Sequence, residues 1–570
     1  MKRLGRFEIE SIEQFLHIDL KTLKVGLNDL QDYIVKINEN NEIVYVIDKV
    51  CDHAGGKLML KKGTAVCPMH NWHLNLDTLK YNDSLAKKVE TAYSIDDSGQ
   101  LIINAENRSL KNPFRPNHKG KLTIRWINHA TVYIECNGVT LLTDPWLFGP
   151  AFLTGWWLYD PSPIDAIELL KKVDYVYISH NHPDHLHAET LSILSKETAI
   201  LTPNFHSGSA ENFLRKLGFN NIIPCDFLDI IELGENFQIS ILKSGDFRDD
   251  SGIYVCANGN ELLLTVDSNY LNHHVLPTNI DLLMTSFAGG ASGFPLCYEN
   301  YSEEEKAQVV RRNRNSIKSN VINYMKETSP RYYMPYAGMF AEYSERDSYV
   351  KERNAKNTFE DYIQIALHHN VEVLRPESNK RVQFENGEIE IVEIPNVDYL
   401  QKEITSHYIS NLKLDYPFNP AIIIAYLKNS NYKKKQILQL IPTDDNFNNL
   451  AGEIIYADFY EGQFKKITEK ELIQEKEGYN VMQMKIRAEV IMCVVSNFLP
   501  WEDLSIGFQM RVKRFPNEYE IDFWYHFTNI YIAKENFRYS TYCGACSIIN
   551  QNPIWINPNV KELVITEKLS

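Results

Sequence analysis

Four metal-binding side chains stand within six residues, in the segment His180-Asn181-His182-Pro183-Asp184-His185. The preceding run, 173–178, is rich in valine, tyrosine and isoleucine, which is typical of a strand buried in a sheet. A loop that follows such a strand can present several ligands to one place, and the spacing of His180 and His182 sends both imidazoles to one side. The pattern predicts a sheet with a metal site at a strand end. The alternative is a polar loop that is rich in histidine by coincidence.

Later carboxylates are candidates for the remaining ligands. Asp267 ends the apolar run 262–266, where a carboxylate could bridge two metals, and Asp246 lies in a short polar turn. Residues 240–260 and the late segment 334–338 contain no histidine. This is a poor set for a dizinc hydrolase, whereas histidines with carboxylates suit Fe(II) and O₂ chemistry. The predicted metal-site residues are His180, His182, Asp184, His185, Asp246 and Asp267, with the four loop residues as the catalytic set.

A second group of ligands lies near the N-terminus, as C-D-H at 51–53 and C-P-M-H at 67–70. Each segment offers one cysteine and one histidine, and the 13 residues between them are enough for a hairpin. In a Rieske centre two histidines replace two cysteines on one iron of a [2Fe–2S] cluster. The spacing predicts a Rieske cluster bound by Cys51, His53, Cys67 and His70.

Two alternatives use the same N-terminal residues. A zinc site takes the same ligand types, although a single residue between cysteine and histidine is unusual in zinc fingers. Coincidence is the other alternative. A separate pair, Cys543 and Cys546, has the spacing of a redox or zinc motif, but no second pair lies nearby, so its role stays open.

Composition limits the class of protein. The chain has 570 residues, 44% of them hydrophobic, and a formal net charge of −15. Roughly three or four domains are expected at this length. The acidic balance argues against binding to nucleic acid or an anionic membrane. Nine cysteines form no disulfide framework, and the first residues carry no apolar run after their basic ones. We therefore expect a cytoplasmic protein without a membrane span.

The predicted fold is multidomain α+β. Alternating runs within residues 1–105 predict an all-β Rieske domain, and the polar, proline-containing segment 106–120 predicts a linker. Strand and helix signals alternate over 121–395, including a hairpin turn at Asn137-Gly138 and a long helix over 303–328, which predicts an αββα sandwich. Residues 400–570 predict an α+β domain, with a helix over 485–498 and a strand over 504–512. No catalytic group stands out in this last region.

The chain resembles a known family. The segments 126–131 and 142–146 resemble the opening strands of the metallo-β-lactamase branch that includes ascorbate-6-phosphate lactonase and N-acylphosphatidylethanolamine phospholipase D. The longer segments 144–152, 155–158 and 287–295, with the Rieske-like motif continued as Asn71-Trp72, resemble the CMP-N-acetylneuraminate hydroxylase family, as do 501–504 and 506–509. At Asp246 this sequence departs from the histidine that the family pattern leads us to expect.

The resemblance implies a metallo-β-lactamase-like catalytic domain and hydroxylation of the N-acetyl methyl group of CMP-sialic acid. It implies O₂ as co-substrate and electrons from a b5-type cytochrome, or a ferredoxin, with its reductase. A related N-acyl or amine compound fits the residues equally well as the substrate.

The pairing of the two motifs favours a redox enzyme, because electron delivery is of no use to hydrolysis. We expect a monooxygenase in which the Rieske cluster supplies a mononuclear iron, or a dinuclear iron or zinc centre, in the second domain. Two alternatives stay open. One is a metal-dependent hydrolase of phosphodiesterase or lactonase type, with a metal-bound water as nucleophile and a regulatory or structural cluster. The other is a non-catalytic electron carrier.

Overall fold

The structure is a computed structural model of the chain. It describes residues 1–530 except for 31, 52–57, 62, 67–72, 82–86, 117–118, 206 and 246–247. Within these residues no helix has both the length and the apolar character to cross a membrane.

Two eight-stranded sheets form the central unit. The first contains, in spatial order, Lys2–Arg6, Asp229–Gly234, Phe237–Lys243, Ser251–Ala257, Asn260–Leu264, Leu282–Ser286, Tyr332–Tyr336 and Glu372–Val373. The second contains Ile222–Cys225, Ala199–Pro203, Tyr175–Tyr177, Val139–Thr143, Thr131–Cys136, Leu122–Asn128, Lys380–Glu385 and Glu388–Glu393. A small ribbon, Trp157–Leu158 with Phe340–Ala341, accompanies them.

Apolar side chains fill the space between these sheets, in a core that includes Ile124, Ile134, Val255 and Met284. Helices cover the outer faces. Asp165–Lys172, Ala188–Leu191 and Ser209–Lys216 lie against the second sheet, and Glu303–Thr328 and Glu360–His368 against the first, each group with its own apolar cluster. A shorter helix, Ser348–Arg353, also belongs to this unit. The central unit is therefore an αββα sandwich.

The hairpin turn and the long helix predicted for this unit are both confirmed. Asn137 and Gly138 both have positive φ, 51° and 79°, as a two-residue type I′ hairpin turn requires. The long helix runs over Glu303–Thr328, and its capping box pairs Ser302 with Glu305.

Short sheets build the N-terminal unit. Its strands are Glu8–Asp19, Gly26–Asp29, Tyr33–Ile37, Ile43–Asp48, Met59–Lys61, Thr64–Val66, His73–Asn75, Lys80–Tyr81, Tyr93–Ile95 and Gln100–Lys111. The last strand pairs with Glu8–Asp19 along its whole length, so the first six residues of the segment predicted as a linker are in a strand. Lys2–Arg6 also differs from its prediction, because it pairs with Asp229–Gly234 in the central sheet.

The C-terminal unit has one five-stranded sheet, in the order Gln463–Ile467, Ile454–Asp458, Gln436–Thr443, Asn480–Arg487 and Met510–Phe515. Its helices are Thr405–Asp415, Pro420–Asn429, Ala488–Asn497, Glu502–Ile506 and Ile521–Thr528.

Two predictions about the C-terminal unit were wrong in part. The helix predicted from residue 485 begins at Ala488, because the preceding strand runs to Arg487. The strand predicted over 504–512 is a short helix, Glu502–Ile506, followed by a strand that begins only at Met510. Apolar alternation there did not distinguish a strand from a helix whose packing buries Leu504.

Glycines let the central and C-terminal units approach closely. A Cβ on Gly155 would lie 2.3 Å from the carbonyl oxygen of Gly507, and a Cβ on Gly507 would lie 2.4 Å from that of Phe152. The indole Nε1 of Trp156 donates to the carbonyl of Ile506 at 3.0 Å. These contacts hold the helix Glu502–Ile506 against the loop that follows the strand Val139–Thr143.

The N-terminal unit also forms a β-sheet contact with the central unit, in the segment that follows Asp267. The short strand Leu276–Pro277 pairs in parallel with Gln100–Lys111, through Ser109 and Leu110. Only eight residues, 268–275, thus separate Asp267 from a strand that is hydrogen-bonded to the N-terminal unit.

Candidate metal centre

The loop 180–185 leaves the second sheet just after the strand Tyr175–Tyr177, as the sequence pattern predicts. Three of its metal-binding side chains, His180, Asp184 and His185, are almost completely buried, and His182 is 13% exposed. The strand Tyr175–Tyr177 is paired on both sides, with Val139–Thr143 and with Ala199–Pro203. The polar residues 180–185 therefore lie beyond its end.

One group of possible ligands consists of His180, His182 and Asp250, whose ligand atoms all lie within 4.8 Å of one another. Nε2 of His180 is 2.9 Å from Nδ1 of His182 and 3.6 Å from Oδ1 of Asp250. Asp250 directly precedes the strand Ser251–Ala257 of the other sheet. This group therefore spans both sheets of the sandwich.

A second group lies beside the first and shares His180 with it. His180, His185 and Asp267 form one triplet, and His129, Asp184 and His185 another. Nε2 of His185 lies 3.4 Å from Oδ2 of Asp184 and 3.5 Å from Oδ2 of Asp267. His129 Nε2 is 3.2 Å from the same oxygen of Asp184. The side chains thus define two adjacent positions for a cation.

Outer hydrogen bonds orient two of the loop histidines. Oδ2 of Asp144 accepts from His185 Nδ1 at 3.0 Å and from Ser179 Oγ at 2.7 Å, while Oδ1 accepts from Ser179 N at 2.7 Å. Ser179 Oγ is also 2.9 Å from His180 Nδ1. In both rings Nδ1 is occupied and Nε2 faces the cluster, which is how outer partners select the metal-binding nitrogen.

Backbone strain concentrates at the strand ends around the cluster. His129, Asp144, Val266 and Ala337 each follow a strand by one or two residues and have positive φ, between 37° and 53°. A non-glycine residue in the left-handed region costs on the order of 1–3 kcal/mol and persists where its surroundings enforce it. Val266, which is β-branched and directly precedes Asp267, is the least expected of the four.

The residues fit a metal ion. Among the described residues, His185 Nε2, Asp184 Oδ1 and His129 Nδ1 are buried and have no hydrogen-bond partner. An unpartnered buried polar atom is costly, and a cation would satisfy His185 Nε2, which faces Asp184 and Asp267. Nitrogen and carboxylate donors in this mixture suit a divalent transition metal.

Burial and nearby charges shift the pKa values of His180 and His182 in opposite directions. Burial, followed by the neighbouring charges of His185 and His182, holds the pKa of His180 well below its usual value, so that its imidazole is neutral. Neutral imidazole is the form that binds metals. Burial works against a charged His182, but the hydrogen bond to and charge of Glu502 raise its pKa to about 9.

The C-terminal unit also contributes to the centre. Glu502 Oε1 lies 3.5 Å from His182 Nε2, and the neighbouring Asp503 is buried. Burial raises the pKa of Asp503 well above that of an ordinary carboxyl. The structure therefore places two acidic residues of the last unit next to the metal loop of the central one.

Of the predicted metal-site residues, the structure brings together His180, His182, Asp184, His185 and Asp267. Asp246 lies outside the described residues, as do His53, Cys67, His70 and the pair Cys543 and Cys546. Cys51 is described and is buried at the end of a β-sheet segment.

Sequence reasoning missed His129, Asp250, Asp144 and Glu502 as members of the centre. The position of His129, one residue after a buried strand, is a signal of the same kind as the loop 180–185, whereas Glu502 carries no local signal. His187, two residues after the loop, is buried outside the cluster, and its Nδ1 caps the helix Ala188–Leu191 by accepting from Thr190 N.

An αββα sandwich with buried histidines and aspartates at its strand ends defines a metal-binding protein of the β-lactamase superfamily. The sequence agrees, since residues 123–243 match the family model described as the Beta-lactamase superfamily domain. The chain is 30% identical over 557 residues to the cytidine monophosphate-N-acetylneuraminic acid hydroxylase of Macaca mulatta, which covers 90% of this chain and 92% of that protein. It belongs to this hydroxylase family.

Further relatives span the chain equally well. The hydroxylase of the same name from Xenopus laevis is 29% identical over 566 residues, which cover 92% of both chains. Among solved structures, CmlA, a diiron β-hydroxylase from Streptomyces venezuelae, aligns over 47% of this chain and 55% of its own with 17% identity and a TM-score of 0.31. That structural similarity is too low to carry an argument.

Proposed function

We propose that this protein is an O₂-dependent monooxygenase that hydroxylates a nucleotide-sugar-like substrate, either CMP-N-acetylneuraminate or a related N-acyl or amine compound. The substrate class comes from the names of the relatives, which match over nine-tenths of the chain. The observation that carries the reaction type is the ligand set. It pairs the loop histidines with carboxylates from both sheets, which is the donor mixture of iron sites that react with O₂.

In this proposal the metal is iron, bound by residues of the loop 180–185 together with Asp250 and Asp267. A bound iron would supply the activation of O₂. The protein binds and orients: Asp144 holds the ring of His185, Ser179 holds that of His180, and both histidines are almost completely buried.

The balance of the reaction requires electrons. Inserting one oxygen atom of O₂ into a C–H bond and reducing the other to water consumes two electrons and two protons. We propose that a Rieske [2Fe–2S] cluster bound by Cys51, His53, Cys67 and His70 delivers the electrons one at a time. An external b5-type cytochrome or ferredoxin with its reductase would reduce the cluster again.

The described parts of the N-terminal unit support the cluster. Cys51 follows the strand Ile43–Asp48 and is buried, and the second pair of ligands falls between the strands Thr64–Val66 and His73–Asn75. Leu58 N donates to the carbonyl of Lys49 at 2.7 Å, which closes the first ligand loop at its base. In the sequence, the first ligand pair thus falls between strands of two different sheets, and the second pair falls between two strands that are paired with each other.

Metal analysis and EPR spectroscopy of anaerobically purified protein test the proposal. We expect a reduced Rieske signal and further iron, and ¹⁸O from ¹⁸O₂ in the hydroxylated product. His180→Ala should keep the cluster signal and abolish turnover. Two zinc ions per chain, or turnover without O₂ and reductant, would instead establish a hydrolase.

A further inference from the structure

The C-terminal unit contacts the metal loop through the carboxylate of Glu502. We propose that Glu502 is a positioning residue of the centre, which holds the ring of His182 so that its other nitrogen faces the metal. This inference rests on the metal binding in the proposed function. It gives the C-terminal unit, in which sequence analysis finds no catalytic group, a defined part in building the site.

The ring of His182 lies between His180 and Glu502. Its Nδ1 lies 2.9 Å from Nε2 of His180, close to the separation of two nitrogens that each stand about 2.0–2.1 Å from one ion. Its Nε2 lies 3.5 Å from Oε1 of Glu502. Contacts of this kind are often long in the absence of ligands and tighten in the working complex. An imidazole with one nitrogen toward the metal and the other N–H toward a carboxylate is the usual outer arrangement of a metal site.

The other two loop histidines are oriented by residues of the central unit itself. The Nδ1 of His180 is held by Ser179, and the Nδ1 of His185 is held by Asp144, both within the central unit. The outer nitrogen of His182 instead faces Glu502, which belongs to another unit. The orientation of one ligand therefore depends on how the C-terminal unit is docked.

Several contacts hold the helix Glu502–Ile506 in its docked position. Trp156 Nε1 donates to the carbonyl of Ile506, and the α-carbon of Gly507 packs against the carbonyl of Phe152. The backbone N–H of Glu502 donates to Thr528 Oγ1 at 3.2 Å, which fixes the start of the helix. The side chain of Glu502 is 35% exposed, so a substitution there leaves the core of the unit intact.

The test measures the dissociation constant of Co²⁺ for the full-length protein by competition with a chelator, together with the absorption spectrum of the bound Co²⁺. Glu502→Ala should weaken Co²⁺ binding about 10–100-fold, the usual cost of losing an outer partner. Glu502→Gln should weaken it less, because the amide oxygen still accepts a hydrogen bond. The matched control is Glu489→Gln, a glutamate of the same interface that pairs with Arg346 at 2.7 Å.

A second variant separates the carboxylate from its docking. In Gly507→Ala the new Cβ would meet the carbonyl oxygen of Phe152, so the helix must shift, and Co²⁺ binding should weaken although Glu502 is intact. Wild-type affinity in Glu502→Ala, or an equal loss in Glu489→Gln, would overturn the inference. Co²⁺ binding involves neither O₂ nor electrons nor substrate. If the variants differ in Co²⁺ affinity as expected but the protein does not hydroxylate the substrate, the result would therefore contradict the proposed function and not this inference.

Discussion

Asp144 offers the sharpest test of how the metal centre is held. It is fully buried and accepts three hydrogen bonds, from Ser179 N and Ser179 Oγ at 2.7 Å and from His185 Nδ1 at 3.0 Å. Asn has the same shape and tolerates the φ of 37° at this position. Asp144→Asn therefore changes the hydrogen-bonding character of one atom and the charge, and little else.

Either orientation of the new amide places a donor against a donor. With its nitrogen toward the backbone of Ser179, a buried N–H loses its acceptor, which costs about 1–3 kcal/mol. With its nitrogen toward His185, the imidazole must accept at Nδ1 and carry its proton on Nε2, the atom that faces Asp184 and Asp267. A protonated Nε2 cannot bind a metal. We expect metal affinity to fall about 10–100-fold, as for other outer partners.

Chelator competition with Fe²⁺ under anaerobic conditions measures the affinity, and the melting temperature of the metal-free protein measures the structural cost. The matched control is Asp281→Asn. Asp281 is also fully buried, accepts from Glu261 N at 2.9 Å and pairs with Lys119 and Arg331. This control should lower the melting temperature and leave metal affinity unchanged. Wild-type Fe²⁺ affinity in Asp144→Asn would refute the role assigned to the carboxylate.

Three further predictions concern stability. Gly155→Ala brings a Cβ within 2.3 Å of the carbonyl oxygen of Gly507. This overpacking should lower the free energy of unfolding by about 1–3 kcal/mol. An unchanged melting temperature would contradict this prediction. Tyr324→Phe removes a hydroxyl that donates to the carbonyl of Ser268 and accepts from Leu271 N, in the segment after Asp267. We expect the free energy of unfolding in denaturant to fall by about 1–3 kcal/mol; no change would show that these bonds do not stabilise the fold. Burial lowers the pKa of His526 to about 3, although its hydrogen bond to the Ser430 carbonyl opposes this shift. As the pH falls, the unfolded chain therefore takes up the proton before the folded one. The free energy of unfolding should decrease by up to about 1.4 kcal/mol per pH unit from pH 6.5 toward 3. Unfolding measured against pH should lose this dependence in His526→Gln.

The sequence determined the features that depend on neighbouring residues. A polar run directly after a buried strand must emerge at the strand end, so His180, His182, Asp184 and His185 could be assigned to one loop. The turn at Asn137-Gly138 and the capped helix Glu303–Thr328 follow from local backbone preferences and hydrogen bonds. The Rieske ligands, three of which lie outside the described residues, stay a prediction of the same local kind.

Only the tertiary structure decided which distant side chains complete the centre. His129, Asp144 and Asp250 come from the ends of three different strands, and sheet pairing over long sequence separations sets their distances from the loop. Glu502 reaches His182 because Gly155 and Gly507 permit two backbones to touch, a contact that no local pattern encodes. The apolar alternation at 504–512 fits a strand or a buried helix equally well, and packing against the central unit selected the helix that carries Glu502.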